Sequence, residues 1–413
     1  MERFILHCDL NNFYASVECL YNPDIRNKAV VVVGDQEKRH GIVLAKNYIA
    51  KKYNIKTGDT VYTAKQKCEE ELVTVNADFS KYQRVSKIVK DIYRSYTDRV
   101  ESFGIDEAWM DITGRVKSFN EAFEFAEKLR KQIVEEVGIT ISVGVSFNKV
   151  FAKLGSDYKK PNACTLITPD NFKEIVWKLP AEDLLYVGNA TKKLFKKFRI
   201  DTIGDLAKTD FHFIKKILGK VGETLWNFAN GNDETPVKKT SEQAPIKSIG
   251  NSTTCPHDLT TMEEVKAVIY ILAESVAQRM REKNLYGTTI SIYIKDDTLM
   301  SFERQKSVEI PTNLASDIAK ICTDLFLTHF KWDKVVRCLG VRVTNFKDKP
   351  IQDNLFNDVK KLERKEDMEK VIEELRYRFG YDIIKRAIVM GNEDLADINP
   401  HDEVHQIHPV GTI

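Results

Sequence analysis

Apolar positions change period along the chain, and the changes mark out its elements. Phe4-Ile5-Leu6-His7-Cys8-Asp9 is a short apolar run bounded by polar residues, which predicts a buried strand. A helix start at Asn11-Asn12 follows, with Phe13, Val17 and Leu20 at helical spacing. Residues 29–33 are apolar, β-branched after Ala29 and stopped by Gly34, which predicts a second buried strand. Residues 82–96 predict a helix with Val85, Ile88, Val89 and Ile92 on one face. Residues 100–112 predict a hairpin turning near Gly104, residues 119–137 a helix, and residues 139–145 an alternating strand. With residues 20–77 set aside as an insertion, the order is β-α-β-β-α-β, a ferredoxin-like sheet.

Residues 170–237 are helical and lysine-rich, with Lys192, Lys193, Lys196, Lys197 and Arg199 clustered in one predicted helix. Residues 238–245 show no apolar periodicity and end in proline, as a linker does. From Ile246 to Asn345 the β-α-β-β-α-β order returns, without sequence repetition of the first region. Its first helix opens on the capping-box pattern Thr261-x-x-Glu264 and carries Val265, Val268, Ile269, Leu272 and Val276 on one stripe. Strands are predicted at 288–294 and 341–344. The last stretch holds a short apolar plug, Leu355-Phe356, a charged helix over 365–379, and a polar end.

Composition narrows the class. At 413 residues the chain is long enough for two to four domains, and 42% hydrophobic with 30% charged residues is a globular balance. The longest apolar run, residues 267–273, is far too short to cross a bilayer. Met1-Glu2-Arg3 leads directly into a strand, so no secretory signal is expected. Seven cysteines without a C-x-x-C pair argue against a disulfide framework, which points to a reduced, cytoplasmic protein. Lys+Arg 63 against Asp+Glu 61 leaves a net charge of only +2, so any nucleic-acid contact must come from locally segregated charge.

The candidate chemistry lies at strand ends. Asp9 closes the first predicted strand, and Asp106-Glu107 sits at the hairpin turn. Carboxylates at the ends of adjacent strands can converge on a hard divalent cation and so support two-metal phosphoryl transfer. Neighbours in a regular strand point to opposite faces, so Asp106 and Glu107 can share a site only at a turn or twisted end. Isolated acidic residues at turns are more often simply solvated.

The surrounding residues resemble a known family. Asp9-Leu10-Asn11-Asn12-Phe13-Tyr14-Ala15-Ser16-Val17-Glu18 and Phe103-Gly104-Ile105-Asp106-Glu107-Ala108 are similar to the two metal-site motifs of Y-family translesion DNA polymerases. Ala45-Lys46-Asn47-Tyr48 resembles the fingers segment of that family. Ser146-Phe147-Asn148-Lys149-Val150-Phe151-Ala152-Lys153-Leu154 with Lys160-Pro161-Asn162 resembles its palm helix, and Lys247-Ser248-Ile249-Gly250 the start of its little finger. The blocks run in order over residues 1–346.

The resemblance implies an α+β, multidomain right-hand fold. It places a ferredoxin-like palm at 1–19 and 78–168, small fingers at 20–77 and a helical thumb at 169–237. A linker at 238–245, a β-α-β-β-α-β little finger at 246–346 and a tail at 347–413 follow. It implies error-prone, template-directed synthesis, with dNTP and primer–template DNA as partners and two Mg²⁺ ions per active site. Asp9, Asp106 and Glu107 would be the catalytic metal ligands, joined by the Leu10 carbonyl. Tyr14 would be the steric gate against a 2′-hydroxyl. Phe13, Tyr14, Tyr48, Lys51 and Lys160 fall at nucleotide-binding positions, although Phe13 by its spacing alone is a core aromatic. Lys192, Lys193, Arg304, Lys306 and Arg342 are candidate DNA contacts, with Arg279, Arg281 and Arg337 as further basic candidates. Gln352-Asp353-Asn354-Leu355-Phe356 resembles a peptide that docks on a sliding clamp, through Gln352, Leu355 and Phe356.

The sequence departs from the family pattern at four places. Lys51 stands where arginine is usual and loses the planar fork that grips two oxygens. Gly104 replaces a serine, Ala163 a glycine, and Tyr186 one of the glycines of a helix-hairpin-helix. His401, His405 and His408 fit a polar tail better than a metal site. The alternatives are a non-catalytic DNA-binding scaffold that recruits another polymerase to the clamp, or a nucleotide cyclase. All three carboxylates argue against the first, and the thumb-like and little-finger-like regions against the second.

Overall fold

The computed structural model describes residues 2–34, 41–68, 71–242, 245–347, 359–396 and 398. The chain divides into two compact units, the first made mainly of Met1–Gly34 and Ile42–Gln243, the second mainly of Ala244–His405. Gln352, Leu355 and Phe356 and the three tail histidines lie outside the described residues.

The first unit begins with β1 (Ile5–Leu10), α1 (Phe13–Tyr21), β2 (Val30–Val33), β3 (Val43–Lys46), α2 (Tyr48–Lys52), α3 (Val61–Lys67) and β4 (Val73–Asn76). It continues with α4 (Phe79–Tyr96), β5 (Val100–Ser102), β6 (Glu107–Asp111), α5 (Phe119–Val137), β7 (Ile141–Ser146), α6 (Lys149–Tyr158) and β8 (Cys164–Ile167). Four helices follow: α7 (Phe172–Ile175), α8 (Asn189–Lys197), α9 (Ile203–Lys208) and the longer α10 (Phe211–Ala229).

Its main sheet has the order β5-β6-β1-β7-β8. Without β8 this is the ferredoxin-like arrangement expected, and β8 adds a strand parallel to β7. The β1 residues are buried throughout, because both faces of the sheet are covered. On one face Leu6, Cys8, Met110, Val143 and Val145 pack with residues of α1, α4 and α5. On the other lies α6, whose close approach depends on Gly144. A Cβ there would fall 1.8 Å from the Ala152 carbonyl oxygen.

The structure corrects α4 in two respects. It starts at Phe79, capped by the Asp78 side chain, and its buried face runs through Tyr82, Val85, Ser86, Val89 and Tyr93. Ile88, expected on that face, is exposed. In the insertion, β2, β3 and β4 form a small separate sheet of order β3-β2-β4, covered by residues of α2 and α3.

The expected linker is also partly seated on the first unit. The Lys238 amide donates to Glu101 Oε2 at 3.0 Å, and the Thr240 amide to the Asp98 carbonyl at 2.8 Å. Val237 is fully buried just before them. Lack of apolar periodicity signalled an irregular segment, but it could not show that backbone donors would find partners on β5 and its preceding loop.

The second unit contains β9 (Ser248–Leu259), α11 (Met262–Glu282), β10 (Tyr286–Asp296), β11 (Ser301–Thr312), α12 (Ala315–His329) and β12 (Val336–Lys347). After these come α13 (Val359–Phe379) and α14 (Glu393–Ala396). The capping box at Thr261 and Glu264 is formed, and the expected stripe of α11 is buried. The sheet order is β11-β10-β12-β9, all antiparallel. The element order matches the first unit but the wiring differs. Here the second and fourth strands are central, whereas in the first sheet the first and third hold that place among the four ferredoxin-like strands.

The α13 helix turns its charged side inward. Arg281, buried on α11, pairs with Glu369 at 2.5 Å and with Glu373, while Arg376 pairs with Glu274 at 3.1 Å. Beyond α13, Val389 and Leu395 join the apolar core of the unit. The segment after β12 thus supplies part of this unit's interior.

Candidate active site

The register of β1 and β6 brings two carboxylates together. Asp9 is paired directly with Glu107, so both side chains leave the same face of the sheet, the face toward α6. Asp106 lies before β6, in a turn where Gly104 takes a φ of +92°. That turn releases Asp106 from the strand's alternation, although among the described residues no three His, Cys, Asp or Glu side chains are already gathered as a metal-holding group. The Leu10 amide donates to the Asp106 carbonyl at 3.1 Å and ties the turn to the end of β1.

Lysines answer these carboxylates. Lys160 Nζ lies 2.6 Å from Asp9 Oδ2 and 2.7 Å from Asp157 Oδ1. Lys153 Nζ lies 2.5 Å from Glu107 Oε2. Lys160 is brought to Asp9 by its own loop, because the Asn162 amide donates to the Asn11 side chain at 2.8 Å. Asn11 is buried and also donates to Ser142 Oγ at 2.9 Å.

The electrostatics are those of crowded acids. Burial, with Glu107 and Asp106 nearby, pushes the Asp9 carboxyl up to about 7 despite Lys160. Burial and Glu107 likewise raise Asp106. Burial also acts to raise Glu107, but the hydrogen bond and charge of His7, together with Lys153, hold it down at about 2. His7 is itself kept near 4 by burial. Its Nδ1 meets Ser156 Oγ at 2.8 Å, and its Nε2 has no nearer carboxylate than Glu107 Oε2 at 3.3 Å.

Aromatic rings border the acids. Tyr14 stacks on Tyr82 with centroids 4.4 Å apart and planes at 14°. Burial and then the Asp106 charge raise the Tyr14 hydroxyl pKa. Phe13 is buried and packs among the core residues of the sheet, its ring 5.8 Å from that of Tyr14. Tyr48 is raised by burial, with Lys160 and Asp9 as its charged neighbours. Lys51 lies over the Tyr48 ring at 5.6 Å. Lys46, on β3, is lowered by burial and by the Lys51 charge, so these two ammonium groups share one neighbourhood.

The sequence reading passed over several residues of this site. His7 meets Glu107, Ser86 and Lys90 hold the turn, Ser156 meets His7 and Tyr82 backs Tyr14, and none carries a motif of its own. Lys153 could have been found, since Lys149 and Lys153 are four apart and share one face of α6.

Comparison with known proteins now bears on this geometry. Residues 8–157 match the impB/mucB/samB family, and residues 246–355 match the impB/mucB/samB family C-terminal domain. A DNA polymerase IV of Acetivibrio thermocellus is 52% identical over 96% of this chain and 99% of its own length. A DNA polymerase IV of Clostridium acetobutylicum is 32% identical over 95% of this chain and 100% of its own.

The chain belongs to the Y family of DNA polymerases.

Among solved structures, a Y-family DNA polymerase chimera, Dbh-Dpo4(243-245)-Dbh, superposes with a TM-score of 0.73 over 84% of this chain and 100% of its own. At 24% identity it supports the fold alone. No helix among the described residues of the polymerase is long and apolar enough to cross a membrane.

The basic candidates in the second unit divide between two faces. Ile290 and Ile292 of β10 are buried against the helices and pair with Lys306 and Arg304. Those two basic residues therefore lie on the helix side of the edge strand β11. Arg342 pairs with Ser291 between the buried Val341 and Val343, so it leaves the opposite, polar face. There it meets Glu303 at 2.6 Å. Three basic candidates are thus divided between the two sheet faces by the strand's period of two. Arg281 is buried in its ion pairs, and Arg279 donates to the Gly250 carbonyl at 3.0 Å. In the first unit Lys192 pairs with Glu182, Lys193 is exposed, and Tyr186 holds the glycine slot at a φ of +72°.

Proposed function

We propose that the polymerase extends a primer 3′-hydroxyl with deoxynucleotides across damaged templates, through two divalent cations held by Asp9, Asp106, Glu107 and the Leu10 carbonyl. The assignment rests on one observation above the others: Asp9 and Glu107 are register partners, and the adjoining turn adds Asp106. The donor set is all oxygen, which suits Mg²⁺. Burial first, and then the neighbouring acids, push Asp9 and Asp106 up, and bound cations would offset both effects. When bound, the two ions would activate the attacking hydroxyl and neutralise charge on the leaving pyrophosphate.

The chain's own residues then have separable tasks. Lys160 contacts Asp9, Tyr48 has both as charged neighbours and Lys51 lies over the Tyr48 ring, and the three would bind the triphosphate. The Tyr14 ring, backed by Tyr82, would exclude a 2′-hydroxyl. Residues 1–19 and 78–168 would form the palm, 20–77 the fingers, 169–237 the thumb and 246–346 the little finger. Residues 352–356 would tether the enzyme to a sliding clamp.

The test is primer extension on undamaged and abasic templates with Mg²⁺ and with chelator. Incorporation on both templates, lost with chelator, is expected. Extension that persists without divalent cation contradicts the reading.

A further inference from the structure

The turn that carries Asp106 is held by α4. Three successive carbonyls of that turn accept hydrogen bonds, and each donor is different. Lys90 Nζ donates to the Gly104 carbonyl at 2.8 Å, Ser86 Oγ donates to the Ile105 carbonyl, and the Leu10 amide donates to the Asp106 carbonyl at 3.1 Å. Ser86 and Lys90 are four residues apart and so share one face of α4. Ser86 is 5% exposed within the otherwise apolar buried face of that helix. A polar side chain is seldom placed there without a specific partner.

Lys90 is the more informative of the two. Among the described residues no carboxylate lies within ion-pair distance of its ammonium; its hydrogen-bond partner is a neutral carbonyl, and the Asp106 carboxylate acts on it only as a charge at longer range. A half-buried ammonium directed at a backbone oxygen gains less than one directed at a carboxylate. The arrangement makes sense if the location of that carbonyl is what matters. Asp106 is crowded by Glu107, and an unrestrained turn would relieve the repulsion by moving the carboxylate away. Gly104, with a φ of +92°, gives the turn no stiffness of its own.

We propose that Lys90 and Ser86 form a clip on the 104–106 turn that positions Asp106, with Lys90 as a positioning residue for nucleotidyl transfer. This rests on Asp106 being a metal ligand. Displacing a ligand by about an ångström costs on the order of a hundredfold in rate, and a clip of this kind sets such a displacement.

The experiment compares Lys90→Met, Lys90→Arg, Ser86→Ala and Asp106→Ala with the parent. It measures single-turnover rate, dNTP and primer–template dissociation constants, thermal midpoint, and Mn²⁺ affinity of the enzyme–DNA complex by electron paramagnetic resonance. Lys90→Met is expected to lower the maximal rate by about ten- to a hundredfold and to weaken Mn²⁺ binding several-fold. Its DNA affinity and thermal midpoint should stay near those of the parent, and Lys90→Arg, which keeps a donor, should recover most of the rate. Ser86→Ala should act in the same direction. Parental rate and Mn²⁺ affinity in Lys90→Met overturn the clip. So does a rate loss that only follows a fall in thermal midpoint and is not recovered by arginine. If Asp106→Ala itself retains rate and Mn²⁺ affinity, the metal-ligand reading fails, and this proposal fails with it.

Discussion

Asp106 and Tyr14 show how single residues carry opposite demands. Asp106 is raised by burial and by Glu107, so its charge opposes folding in the absence of cations. Asp106→Asn should therefore stabilise the metal-free protein by on the order of 1 kcal/mol at neutral pH while abolishing incorporation. Thermal unfolding in chelator, beside an extension assay, reads both effects. Tyr14→Ala should raise ribonucleotide use relative to deoxynucleotides by about tenfold or more, since the ring stacked on Tyr82 is removed and the acids are untouched. Competing dNTP and rNTP incorporation on one template measures it, and unchanged discrimination would assign Tyr14 to the core alone. The adjacency of Asp9, Glu107 and Tyr14 to one strand end was legible because motif spacing preserves it. His7 and Lys90 were not, because a lone histidine in a strand or a lysine on a helix has no spacing that reports its partner.

Among the elements, α6 depends most on one residue. Gly144→Ala would drive a methyl group into the Ala152 carbonyl, so α6 must lift from β7. The expected cost is about 3 kcal/mol or more, with loss of extension because Lys153 and Ser156 move with the helix. A thermal midpoint near the parent's would show that the helix can shift without consequence. In the second unit, Glu369→Ala leaves buried Arg281 with Glu373 as its remaining carboxylate. It should lower the stability of that unit by on the order of 2 kcal/mol, read as a fall in thermal midpoint with DNA-independent origin. Apolar periodicity had shown α5 and the buried stripe of α11 directly. It misjudged Ile88, whose helical spacing fits a face that α4 turns to solvent. It did not reveal β4 and β8, whose four residues mix polar with apolar side chains, unlike the equally short but all-valine β2. The inward face of α13 escaped it too, since Glu366, Glu369, Glu373 and Arg376 look like a solvated face until Arg281 and Glu274 are placed beneath them.

At the scale of the whole molecule, the two units share an element order and differ in wiring, which the linear sequence cannot distinguish. The candidate DNA contacts Arg304 and Lys306 share one face of the second unit's sheet, and strand pairing puts Arg342 on the other. Processive synthesis would then depend on tethering as well as on contacts of the second unit. Leu355→Ala with Phe356→Ala should leave clamp-free extension near the parent rate and remove stimulation by loaded clamp. Loss of clamp-free activity and stability together would instead place both side chains in the protein's own core. The central claim is that Asp9, Asp106 and Glu107 form one cation-dependent centre for nucleotidyl transfer. It is tested most directly by single-turnover primer extension with Asp106→Ala, alongside its primer–template dissociation constant. A fall of at least about a thousandfold in rate with DNA affinity near the parent's is expected; substantial residual incorporation by that variant would contradict the account.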